Sequence, residues 1–108
     1  MQEYTTREID RRFALLKQYE RRCIIHFLQE TESGHAEFSN VVSHLQKQDP
    51  TPDESDKIAT TLHHTHLPQL ATIDVLEYDS RSQTIRYHGD DLVETLMEST
   101  PETHIPGP

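Results

Sequence analysis

An α+β fold, mostly α, is predicted by three observations. Apolar residues recur at helical spacings of three and four through the first two thirds of the chain. Two short strand-like runs, Val75 to Tyr78 and Thr84 to His88, follow with a polar loop between them. A last apolar face, Leu92, Val93, Leu96 and Met97, closes the pattern. With 108 residues the chain has the length of one domain, set here at 1–100, and PETHIPGP (101–108) is expected to be a disordered tail.

Each element has its own local cause. Thr5 with Glu8 has the form of a capping box, and Ile9, Phe13 and Leu16 repeat behind it, so the first helix is predicted at about 6 to 17. The second runs from Glu20 to Glu30, with Ile24, Phe27 and Leu28 inward and Arg21, Arg22 and Gln29 outward. Gly34 ends that segment because glycine takes a positive φ freely. HAEF (35–38) is read as a very short strand. Ser39 is the expected N-cap of a third helix, about 40 to 48, with Val41, Val42 and Leu45 inward. DPTPD (49–53) is a turn set by two prolines.

The fourth helix is predicted from about Ser55 to Thr72. Its buried stripe is Ile58, Leu62, His66, Leu70 and Ile73, and Pro68 should bend it or mark a joint. Asp74 stands where a left-handed residue would end it. DSRSQ (79–83) is the hairpin loop, and Asp90 and Asp91 begin the last helix, placing acid at its positive end. Helix, helix, short strand, helix, helix, strand, strand, helix is the order of a winged helix-turn-helix with a two-stranded wing and a C-terminal helix.

The charge is uneven. The net is −9, from 19 acids and 10 cations, of which seven are Arg. Residues 1–35 carry six acids and six bases, residues 36–66 five and two, and residues 67–108 eight and two. An acidic, Lys-poor surface suits concentrated salt and equally suits ordinary acidity, since net charge speaks to solubility rather than fold. A single cysteine, Cys23, suits a reducing cytoplasm. MQEYTTREID lacks the apolar stretch of a signal peptide, and no apolar run reaches the ~20 residues of a membrane span. A cytoplasmic protein without membrane contact is expected.

RRCIIHFLQE, then HLPQL, then VLEYD, resembles a haloarchaeal family of small winged-helix proteins of unassigned function. Its pattern is an Arg-rich helix, a Pro- or acid-rich turn, then H-x-x-H-L-P-K-L leading to V-x-E-Y-D. The matching residues are Arg21, Arg22, Leu28, His63, His66, Leu67, Pro68, Leu70, Val75, Glu77, Tyr78 and Asp79. The resemblance covers about 8 to 88; Gln69 stands where Lys is frequent and Asp74 where Gly is usual. HLPQLATIDVL is more distantly similar to the recognition-helix end of ArsR-like regulators. The resemblance implies a halophilic, archaeal origin.

The functional expectation is a DNA-binding transcriptional regulator acting as a homodimer on double-stranded DNA. Burying the stripe of the fourth helix leaves Lys57, Thr60, Thr61, His64 and Thr65 outward, where hydroxyl and imidazole groups reach base edges. Arg81, Ser82 and Gln83 at the wing tip, with Arg86 behind, would meet the phosphate backbone. Leu92, Val93, Leu96 and Met97 on the last helix are the expected dimer face, with Ile9, Phe13 and Leu16 on the first helix contributing. Arg11, Arg12, Arg21 and Arg22 either form a basic patch or pair with surface acids such as Glu8 and Glu20.

The alternative is a protein-interaction module on the same fold, because Asp53, Glu54 and Asp56 at the start of the fourth helix repel phosphate. His63 and His66, with His26, His35 or His44, are a candidate metal set, but their better reading is as buried and filler residues. Cys23 is read as a small buried hydrophobe before a redox sensor. No phosphate loop is present among three glycines, so neither catalysis nor a cofactor is expected.

Overall fold

A computed structural model describes residues 4–48 and 55–99. The 49–53 turn, the domain limit at 100 and the 101–108 tail lie outside them. The chain forms α1 (Thr6–Leu16), α2 (Tyr19–Gln29), β1 (His35–Glu37), α3 (Phe38–Gln48) and α4 (Ser55–Thr61). A π-helical segment (Leu62–His66) then leads into α5 (Leu67–Ala71), β2 (Leu76–Asp79), β3 (Thr84–Tyr87) and α6 (Asp91–Ser99). This is an α+β, mostly helical architecture in which β1, β3 and β2 form one antiparallel sheet with β3 central. Among the described residues no helix is long and apolar enough to cross a membrane.

The first helix begins as its sequence dictates. Thr5 Oγ1 accepts from the Glu8 N–H at 3.1 Å, and Glu8 Oε1 accepts from the Thr5 N–H at 3.0 Å, which satisfies two of the helix's orphan donors. The other end is capped from outside: the Arg22 guanidinium donates to the carbonyls of Leu16 and Lys17 at 2.7 and 2.9 Å. At α3 the expectation fails by two residues. The helix starts at Phe38 rather than after a Ser39 cap, because β1 runs straight into it and the Phe38 N–H is taken by the carbonyl of Gln83 at 2.9 Å. Gly34 takes φ 73°, and an added Cβ there would lie 3.2 Å from the Tyr87 carbonyl oxygen.

Pro68 marks a joint, as expected, and the joint has a definite form. Proline lacks the N–H that would meet the His64 carbonyl, and its ring crowds that carbonyl. The turn before it widens to a π-helix, in which the Leu67 N–H donates to the carbonyl of Leu62, and α5 then opens with Pro68 in its first turn. Asp74 ends the run at φ 59°.

The core gathers Leu15, Ile24, Ile25, Leu28, Val41, Leu62, Leu67, Leu70, Val75, Leu76 and Ile85. Leu62, His66, Leu70 and Ile73 are buried as the stripe predicts, while Ile58 is half-buried. Cys23 is fully buried, and burial pushes its thiol up to about 11, against the lowering effect of Tyr19 and Arg22. Three residues assigned to a dimer face belong to this core instead. Leu16, Val93 and Met97 are only 7, 0 and 4 % exposed, because α6 lays its apolar face on its own domain. Ile9, Leu92 and Leu96 are half-buried, and Phe13 stands 54 % exposed.

One ion pair closes α6 on α1. Arg12 Nε and Nη2 donate to the two carboxylate oxygens of Asp90 at 3.1 and 2.8 Å, with both side chains about one-tenth exposed or less. Burial alone would raise the Asp90 carboxyl, but the Arg12 guanidinium and the Val93 N–H hold it below the ordinary carboxylate value. A second buried polar contact joins α2 to the π segment: Arg21 Nε donates to His66 Nδ1 at 3.2 Å. Burial, then the Arg21 charge, keeps His66 below the ordinary imidazole value of 6.5.

Asp90→Ala should cost about 3–5 kcal/mol in urea unfolding, because it leaves the Arg12 charge buried and unpaired. Arg12→Met with Asp90→Leu should cost less than that single change, roughly the ~1 kcal/mol of the lost α6 cap. Folding favours neutral His66, so its contribution is complete above the unfolded-state value of 6.5 and disappears as pH falls through the lower folded-state value. Urea midpoints should therefore fall from about pH 7.5 to about pH 5.5, and His66→Gln, which keeps an acceptor for Arg21, should flatten that fall. His44, also held low by burial and then by His26 and Lys47, accounts for a remaining slope.

Candidate nucleic-acid interface

The helical stretch α4, π segment and α5 is anchored on one side by Leu62, His66, Leu67 and Leu70. Its other side presents Lys57, Thr60, His64 and Thr65 to solvent, with Thr61 half-buried beside them. Thr60 Oγ1 donates to the Asp56 carbonyl at 2.8 Å, so its oxygen remains an acceptor. The face thus offers short hydroxyls, one imidazole and one ammonium within two turns. Asp56, also exposed, is its local acid; Asp53 and Glu54 lie outside the described residues.

His63 and His66 do not share a face. His63 turns to β2, where its Nδ1 lies 2.8 Å from Tyr78 Oη, and His66 turns inward to Arg21. Phe38 completes the contact, its ring 5.8 Å from Tyr78 and 6.3 Å from His63, and exposed His64 packs edge-on to His63 at 4.6 Å. Among the described residues no three His, Cys, Asp or Glu side chains gather in a metal-binding group. The Phe38–His63–Tyr78 cluster went unread in the sequence, although the alternation of LEYD, which turns Tyr78 to the side of Leu76, carried half of it.

The hairpin loop occupies 80–83. Asp79 Oδ1 accepts from the Arg81 N–H at 3.0 Å, which holds the Asp79 carboxyl below its ordinary value. Gln83 takes φ 56°, and Ser82 Oγ lies 2.7 Å from Thr84 Oγ1. Arg81, Ser82 and Gln83 are all exposed at the tip. Arg86 is exposed too, but the register sets it between His35 of β1 and Glu77 of β2. The same outward sheet face carries Glu37 and Asp79 on either side of Thr84, and Glu77 meets His88 Nε2 at 3.3 Å. Arg86 therefore sits among carboxylates, while Arg81 projects beyond them.

The N-terminal arginines are engaged within the domain, and among the described residues the acid that holds Arg12 is Asp90. Arg12 is held by Asp90, Arg21 by His66, and Arg22 by the end of α1 and by the Tyr19 ring at 5.8 Å. Arg11 reaches across to α5 and donates to Gln69 Oε1 and Thr72 Oγ1 at 2.8 and 3.0 Å. Three of these guanidiniums tie α1 and α2 to α5, the π segment and Asp90, and the fourth ties α2 to the end of α1.

No curated protein and no solved structure matches this chain. Residues 13–86 match the family described as Domain of unknown function (DUF7344), and the chain belongs to that family.

Proposed function

We propose that this chain is a winged-helix transcriptional regulator of the haloarchaeal type, distantly like the ArsR regulators. It binds double-stranded DNA in the cytoplasm as a homodimer, without cofactor or catalysis. The observation that carries the reading is the exposed strip Lys57, Thr60, His64 and Thr65, with Thr61 at its edge, on a helix fixed in the core by its opposite side. A helix of that kind presents hydroxyl and imidazole groups to base edges in a major groove. The hairpin β2–β3 supports the reading as a wing, with Arg81 at its tip the cation best placed for a phosphate and Ser82 and Gln83 beside it. Arg86, set against Glu77, is the weaker backbone contact.

A second reading has its own observation. Asp56 on the presented helix, and Glu37, Glu77 and Asp79 on the outward sheet face, favour a protein partner with a basic surface over a phosphate backbone. The two readings differ in what they titrate.

Fluorescence anisotropy with duplexes selected from genomic fragments should yield a site bound at least tenfold more tightly than its scrambled sequence. Thr61→Ala and His64→Ala should each weaken that site by about tenfold and relax base preference, each side chain contributing about 1–3 kcal/mol. Arg81→Ala should weaken all duplexes alike and reduce the salt slope by about one. Failure of every duplex to exceed its scrambled control, in low and in high KCl, would leave only the protein-interaction reading.

A further inference from the structure

We propose that a second copy of this chain docks on α1, the two α1 helices crossing antiparallel about a two-fold axis at Phe13. The proposal rests on the homodimer reading and specifies its face. Phe13 is the most exposed large hydrophobic side chain among the described residues, at 54 %. Tyr19, the other exposed one, already lies against the Arg22 guanidinium. The last helix offers less of a face, since Val93 and Met97 are in the domain's own core.

Charge supplies the register. Asp10, Phe13 and Lys17 are all exposed and fall on one side of α1, within roughly 60° at 100° per residue. Asp10 and Lys17 are two turns apart, about 10 Å along the axis, with Phe13 between them, so they do not meet within one chain. An antiparallel crossing at Phe13 brings Asp10 of each copy to Lys17 of the other, twice by symmetry. Ala14, exposed beside Phe13, lets the two backbones approach. The wider field favours the same place. In a chain of net −9, residues 1–35 carry six acids and six bases, and the two remaining segments are both negative. Two copies meet with less repulsion through this N-terminal third than through either acidic segment. Ile9 and Leu92, both half-buried, extend the apolar surface toward α6.

The test is oligomeric mass by light scattering without DNA, at the lowest salt in which circular dichroism shows the chain folded. The full chain should run at twice its 12.6 kDa, and Phe13→Glu at 12.6 kDa with unchanged dichroism. Asp10→Lys and Lys17→Asp should each weaken dimerisation by about tenfold, and the two together should restore it to within about threefold. A monomeric wild type at about 1 mM, a dimer indifferent to Phe13→Glu, or single swaps that behave like wild type would each overturn the proposal. Because no duplex is present, this result is independent of DNA binding, which the anisotropy titration judges separately.

Discussion

The buried contact between Arg12 and Asp90 joins the two ends of the fold, and much of the rest is arranged around it. Asp90 accepts two hydrogen bonds from the guanidinium and, through Oδ1, a third from the Val93 N–H, so one carboxylate both caps α6 and fastens it to α1. Arg12 also donates to the Glu8 carbonyl and lies under the Tyr4 ring at 5.1 Å. Glu8 is itself half of the capping box that starts α1. The starts of the first and last helices are thus linked through a single side chain. Asp90 directly follows the hairpin, whose base is closed by the His88 and Gly89 N–H groups on the Val75 carbonyl. Fixing Asp90 therefore fixes where the hairpin leaves the core. Such a pair is costly to break from one side, since either partner alone would be an uncompensated buried charge.

The same use of arginine shapes the surface that remains. A chain with few cations places Arg11, Arg12, Arg21 and Arg22 on acceptors of its own, among them an imidazole nitrogen, backbone carbonyls, and the Gln69 and Thr72 side chains. Guanidinium suits this work, since its planar fork reaches several acceptors at once and stays charged. On the exposed helix face itself Lys57 stands beside Asp56, so binding by that face would owe little to phosphate attraction. Its specificity would come from hydroxyl and imidazole contacts, and its dependence on salt would be shallow.

Helical periodicity carried most of the architecture. The capping box at Thr5, the left-handed Asp74, the stripe through His66 and the joint at Pro68 were all legible because each follows from one residue's local chemistry. Less legible were features settled by distant partners. The start of α3 moved because Gln83, far along the chain, supplied an acceptor for Phe38. Val93 and Met97 looked like an exposed apolar face because periodicity marks which residues share a side, not which neighbour covers it. Similarly, an arginine doublet reads as surface charge until its acceptors are known, and those of Arg12 and Arg21 lie 78 and 45 residues away. For the candidate site, the exposure of Lys57, Thr60, His64 and Thr65 could be read from the stripe opposite them. The carboxylates around Arg86 required strand register.

The π turn is where local chemistry and the candidate site meet. Proline at 68 forces the preceding turn to widen, and within that turn His63 reaches Tyr78 while His64 stays in solvent beside it. Tyr78 belongs to β2, the strand that leads through Asp79 into the loop bearing Arg81. A chain of short contacts therefore runs from the presented helix face to the hairpin tip, through one imidazole–phenol hydrogen bond and the Phe38 ring stacked on it. Phe38 in turn is tied to the tip by its N–H on the Gln83 carbonyl. Helix and hairpin are joined through this one cluster. Were that surface to read one groove and touch the adjoining backbone, as proposed, such contacts would set the distance between its two parts.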